Sequence, residues 1–255
     1  MLTGAPFAHP EIQKGGGVTS LKFQGGLAFL TAGEMDEADR FAIDTVGIGV
    51  DSLMENAGTK TAEMALRLLG GDVAGKKIEV LVGKGNNGGD GLVAARHIHN
   101  WGGDVTLVLG DGSVALRDSA AKQFAAVEKM GVRTGAPDDE LDGELILDAL
   151  LGYGSRGSPR EPLAGLIRRA NASKLPILAV DIPSGLDATT GEPGEPCVTA
   201  RTTVTFGFPK TGFLDARAKG HLGDLYMADI SLPKAIYEKY SCPGLFSRGG
   251  LVRVW

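Results

Sequence analysis

Residues 81–97 read LVGKGNNGGDGLVAARH. Gly83, Gly85 and Gly88 within it satisfy G-x-G-x-x-G. That spacing means little alone and gains meaning when a strand precedes it and a helix follows. Both are written here. The preceding KIEVLVG is a short apolar run, and DGLVAARHIHNWGG is an amphipathic stretch stopped by glycines.

Further along the chain the alternation continues. DVTLVLG, GELILDALLG and LPILAVDIPSG read as strands. LRDSAAKQFAAVEKMG and EPLAGLIRRANAS between them read as helices. TTVTFGF and DLYMADI look like further strands with little helix between. Continuous apolar strands separated by helices imply a mostly parallel sheet buried on both faces. The expected fold is α/β, a Rossmann-like doubly wound sheet in a three-layer α/β/α sandwich. Extra N-terminal helices precede it. Thr31 and Glu34 form a capping box, and Met35, Ala38, Phe41 and Ala42 follow at helical spacing. A second helix is expected over residues 50–69, stopped by Gly70 and Gly71. The organisation expected is an arm over 1–28, one domain over 29–240 and a tail over 241–255.

The turn supports two readings. A dehydrogenase places an acidic residue about 20 positions on, and Asp111 stands near there. Against it, Asp90 opens the following helix, where a carboxylate repels a pyrophosphate unless a cation intervenes. Asn86 and Asn87 add two amides. The backbone N–H groups of Gly88, Gly89 and Asp90 offer an anion site, and the Asn87 amide oxygen offers a ligand to a hard cation.

Ligands of open α/β sheets bind beyond the carboxyl ends of the strands. Two further strand ends carry polar residues. Asp148 closes one apolar run and is followed by a Gly/Ser-rich loop, Gly152, Tyr153, Gly154, Ser155, Arg156, Gly157 and Ser158. Asp181 and Ser184 close another. Asn87, Asp148 and Ser184 supply oxygen donors, the ligand type of a hard cation. Asp181, walled by apolar strand ends, suits general acid/base work through desolvation. The loop offers N–H groups and Arg156 to phosphates.

A net charge of −5 argues against a nucleic-acid platform and against a polybasic membrane anchor. No apolar stretch approaches the length of a membrane span, and the N-terminus lacks the pattern of a signal peptide. Cys197 and Cys242 have no C-x-x-C spacing and read as reduced thiols of a cytoplasmic protein. His97 and His99 read as helix residues, and His221 as a surface or structural histidine.

Together GKGNNGGDGLVAARHI, LDALLGYGSRGSPREP, AVDIPSGLDATTGE and VTFGFPKTG resemble the NAD(P)H-hydrate epimerase family, the YjeF N-terminal domain. The likeness covers about residues 30 to 232. It implies interconversion of the R and S epimers of NADH or NADPH hydrated at nicotinamide C6. It implies hydrate binding by Asn86, Asn87, Gly88, Gly89, Asp90, the loop 152–158 and Asp181, with Asp181 as the catalytic acid/base. It implies one potassium ion per subunit held by Asn87, Asp148 and Ser184, and a homodimer through the N-terminal helices. With about 23 residues left after residue 232, a separate dehydratase is expected to act in sequence. The alternatives are an NAD-dependent dehydrogenase and a non-catalytic nucleotide- or RNA-binding scaffold of the same fold.

Overall fold

The structure is a computed structural model describing residues 22–24, 27–110, 116–136, 138–240 and 250–255. Asp111, Cys242 and most of the N-terminal arm lie outside the described residues. Strands β1 (Lys22–Gln24) and β2 (Leu27–Phe29) pair as a short antiparallel ribbon. Helix α1 (Ala32–Arg40) starts where the sequence places it. Thr31 accepts from the Glu34 N–H, and the Glu34 carboxylate reaches back to the Thr31 N–H at 2.7 Å. One π-helical turn, Phe41–Thr45, follows before α2 (Val50–Leu68).

The body is β3 (Lys77–Val82), α3 (Asn86–Asn100), β4 (Asp104–Leu109), α4 (Asp118–Lys129), β5 (Arg133–Gly135), β6 (Leu145–Ala149), α5 (Leu163–Ala172), β7 (Ile177–Val180) and β8 (Thr202–Phe206). Then come α6 (Ala216–Leu222), β9 (Asp224–Ala228), α7 (Lys234–Lys239) and β10 (Leu251–Arg253). The eight-stranded sheet runs β10-β9-β8-β7-β6-β3-β4-β5. Every pairing is parallel except β10 on β9.

The chain moves outward from β3 in one direction through β4 and β5, then returns to β6 and moves in the other. The switch point between β3 and β6 splays the following connections apart and leaves a crevice at the carboxyl edge. Alternate strand residues face opposite layers. Val80, Leu147 and Val180 join the larger core with α1, α2 and α3. Leu81, Ile146 and Ala179 join a second core under α5 with Leu166 and Ile167. This is the expected doubly wound sandwich.

Part of the stretch expected as a C-terminal tail is sheet. Leu251–Arg253 pairs with β9, and the Trp255 ring stacks on Phe29 at 6.5 Å. The pairing covers the backbone edge that β9 would otherwise expose.

Candidate active site

Four segments meet at the crevice. The first is the turn from β3 into α3. The helix begins at Asn86, with Gly85 as an extended N-cap. Both asparagines therefore lie in its first turn, four residues earlier than the sequence pattern placed the helix start. Gly88 has a packing reason, because a Cβ there would sit 1.8 Å from the Gly83 carbonyl oxygen. A Cβ on Gly89 would meet the Met54 methyl at 2.5 Å. Both glycines are buried and neither lines the cleft. The Gly89 N–H donates to the Gly85 carbonyl, so the helix itself uses that expected anion donor. Asn86, Asn87 and Asp90 do line the cleft. Asn87 is only 8% exposed, and among the described residues neither its amide oxygen nor its nitrogen has a hydrogen-bond partner.

The second segment is the end of β6. Asp148 lies in register between Leu81 and Ala179, fully buried. Ser184 donates to it twice, from its N–H at 2.8 Å and its hydroxyl at 2.6 Å. The Ser184 oxygen in turn accepts from the Leu151 N–H at 2.9 Å. Burial raises the Asp148 pKa to about 6, against the lowering effect of these donors. Neither residue lines the cleft; both sit at the strand ends behind its wall.

The third segment is the end of β7. Asp181 is 4% exposed and lines the cleft. Its φ of +66° lies in the left-handed region, uncommon for a residue with a side chain and frequent at functional sites. The fourth, after β8, brings Lys210. This lysine is fully buried, and its ammonium donates to Asp181 Oδ1 at 2.5 Å and to Thr205 Oγ1 at 2.7 Å. The Thr205 hydroxyl and the Phe206 N–H reach the same Oδ1. Among the described residues every hydrogen bond to Asp181 falls on that one oxygen, leaving Oδ2 for a ligand. Sequence pattern placed Asp181 among apolar strand ends alone. In the structure its desolvated charge has a counter-ion.

The loop 152–158 lines the cleft along its whole length. The Tyr153 hydroxyl donates to Asp39 of α1 at 2.6 Å, and the Lys210 ammonium stands 5.7 Å from the centre of the Tyr153 ring. Arg156 is half exposed and bonded to the carbonyls of Tyr153 and Ser155, with Asp187 at 3.9 Å. Burial first, then the nearby Asp181 and Asp39 charges, hold the Asp90 carboxyl well above the ordinary carboxylate range. Burial also raises Asp39, offset by Tyr153 and Lys210.

The cavity holds about 890 Å³, with Lys84, Arg117 and Arg160 on its lining beside these acids. Sequence reasoning singled out neither Lys210 nor Asp39. Lys210 sits inside a motif that was noticed, VTFGFPKTG, and a lone charge shortly after a strand end was its signal. Asp39 had none, since an acid on the polar side of a helix looks like any solvated residue. His97 pairs with Glu55 and Thr59, and His221 with the Val198 carbonyl, all away from the cleft lining. Cys197 is a buried free thiol, pushed up to about 12 by burial. No helix among the described residues is long and apolar enough to cross a membrane.

Residues 50–212 match the family described as YjeF-related protein N-terminus. A Dehalogenimonas lykanthroporepellens protein named NAD(P)H-hydrate epimerase is 39% identical over 88% of this chain and 92% of its own. A Moorella thermoacetica protein named bifunctional NAD(P)H-hydrate repair enzyme Nnr is 36% identical over 90% of this chain, which spans 44% of that longer protein. The crystal structure of yeast YNL200c superposes with a TM-score of 0.76 at 24% identity, covering 89% of this chain and all of that one, and shows the same fold. The four ordered motifs, the switch-point cleft and these relatives agree, and the chain belongs to the YjeF-related N-terminal family.

Proposed function

We propose that the protein is an NAD(P)H-hydrate epimerase. The carrying observation is Asp181, buried at the cleft floor and held through one oxygen by Lys210, with its other oxygen left for a ligand. The hydrated nicotinamide carries its hydroxyl at C6. Inversion there requires that hydroxyl to leave and water to return on the other face. The ring nitrogen lone pair expels the hydroxyl and leaves an iminium cation. Asp181 protonates the departing oxygen and takes a proton from the incoming water. The acids around the floor favour the cation electrostatically. The relatives named NAD(P)H-hydrate epimerase support the substrate class.

The test is chromatographic separation of the R and S hydrates with and without protein. Accelerated interconversion supports the reading, and a rate equal to the protein-free control contradicts it. A dehydrogenase would instead change nicotinamide absorbance on incubation with NAD and metabolites.

We also assign a potassium site to Asn87, Asp148 and Ser184. The donors are oxygens, suited to a hard cation. Asn87 has a buried amide oxygen without a partner among the described residues, which a cation would satisfy. Such an ion would supply fixed positive charge at the strand ends. A separate dehydratase acts in sequence, supported by the bifunctional name of the Moorella relative. We take the protein to be a cytoplasmic homodimer paired through the N-terminal helices. Val46, exposed beyond the π-helical turn, supports an apolar contact there, and the free buried thiol of Cys197 fits a reducing compartment.

A further inference from the structure

Asp90 is the fifth residue of α3 and lines the same cleft as Asp181. The two carboxyls have unlike surroundings. Asp181 accepts hydrogen bonds from the Lys210 ammonium, the Thr205 hydroxyl and the Phe206 N–H. No hydrogen bond from any described residue reaches the Asp90 carboxyl, and both acids and cations stand around it. Asp39 of α1 and Asp181 after β7 lie near it, and Lys210 after β8 is the nearby cation. The wider lining adds Tyr153, Lys84, Arg117, Arg156, Arg160, Asp36 and Glu161. Two carboxyls held in unlike surroundings in one cleft are the arrangement of an acid and base pair.

We propose that Asp90 is a second catalytic acid/base, working with Asp181 on opposite faces of the hydrated nicotinamide ring. The inference rests on the epimerase reading. Burial and like charge favour the protonated form of Asp90. Asp181 instead has the Lys210 ammonium bonded to its Oδ1 at 2.5 Å.

The steps balance. Asp90 gives its proton to the C6 hydroxyl of one epimer. The C–O bond breaks, water leaves, and the nitrogen lone pair becomes the second bond of the iminium. Water then adds to C6 from the other face. The new C–O bond forms, the electron pair returns to nitrogen, and Asp181 takes the water proton. The opposite epimer runs the same steps backwards, with protonated Asp181 as donor and the Asp90 carboxylate as acceptor. Between turnovers in one direction a proton passes from Asp181 to Asp90 through water in the open cleft. Nothing is oxidised or reduced.

The experiment follows each purified epimer in water enriched in heavy oxygen, with wild-type protein and with Asp90→Asn. Wild type should interconvert the epimers and load heavy oxygen into both. Asp90→Asn should lose interconversion by roughly 10²- to 10⁴-fold. It should still exchange the hydroxyl of one epimer, the one Asp181 ionises, with retention of configuration. Interconversion within tenfold of wild type, or equal loss of exchange from both epimers in a folded variant, overturns the proposal. Asp90→Glu covers the case in which the amide fails to fold. It should slow exchange of one epimer more than the other, and equal slowing overturns the proposal. A wild type that neither exchanges nor interconverts either epimer overturns the epimerase reading itself.

Discussion

The Tyr153 hydroxyl and the Asp39 carboxylate bond at 2.6 Å, and this joins α1 to the Gly/Ser-rich loop on the far side of the cleft. The residues come from segments 114 positions apart. Hydrogen bonds to charged groups contribute about 1.5–3 kcal/mol. Tyr153→Phe should therefore loosen the loop, raising KM several-fold with a smaller change in kcat. Asp39→Ala should do the same, and the double variant should be no worse than the stronger single one. Additive losses in steady-state kinetics would show that the bond does not act as a unit.

Lys210→Met leaves the buried Asp181 charge alone. Breaking a buried pair from one side costs about 3–5 kcal/mol. The single variant should lose that much in denaturant unfolding, and adding Asp181→Asn should restore most of it. Interconversion should stay absent in both. Equal stability of wild type and Lys210→Met would show that the pair carries no such penalty.

Glu79 gives a pH prediction remote from the cleft. It is 5% exposed on β3, accepts from the Asp142 N–H at 3.1 Å, and its other oxygen is buried without a hydrogen-bond partner among the described residues. Burial raises its pKa above the ordinary glutamate value. The folded state thus holds this proton more tightly than the unfolded chain. Its contribution is most favourable at acid pH, and falls as pH rises from the ordinary value up through the raised one. Glu79→Gln should remove that loss. The difference in melting temperature, variant minus wild type, should grow with pH across that window and then level off. A difference that shrinks with rising pH would contradict the sign.

Asn87→Leu tests the cation site. The apolar isostere fills the space but removes the amide oxygen. Wild type should lose activity when potassium is replaced by a bulky organic cation and regain it on readdition. The variant should be insensitive to that exchange and slow throughout. A wild type indifferent to monovalent cations would dispose of the assignment.

The strand and helix order was legible because each parallel strand is a nearly unbroken apolar run. The capping box at Thr31 and the glycine stop after α2 were legible because caps are local chemistry. Local signals failed for α6 and α7, which have seven and six residues. They also failed for β10, a three-residue strand recognisable only by its pairing with β9. At the site, strand-end residues were found by the switch-point rule. Lys210 was hidden because a lysine becomes a buried counter-ion only once the segments after two strands are laid side by side, here bringing together residues 29 apart in sequence. The glycines of the N-N-G-G-D run read as ligand contacts, whereas their missing side chains make room for the Gly83 carbonyl and Met54.

The left-handed backbone at Asp181 also governs which variants of this protein can be made. Asparagine is among the few residues besides glycine and aspartate that accept that geometry readily. The swap from acid to amide therefore removes the proton carrier while leaving the local chain path unstrained. The product would be a receptor made from an enzyme, its chain path kept and its epimer interconversion silenced, at the cost of the buried Lys210 ion pair. It would be suited to retaining the damaged nucleotide, as a capture reagent or the recognition half of a sensor.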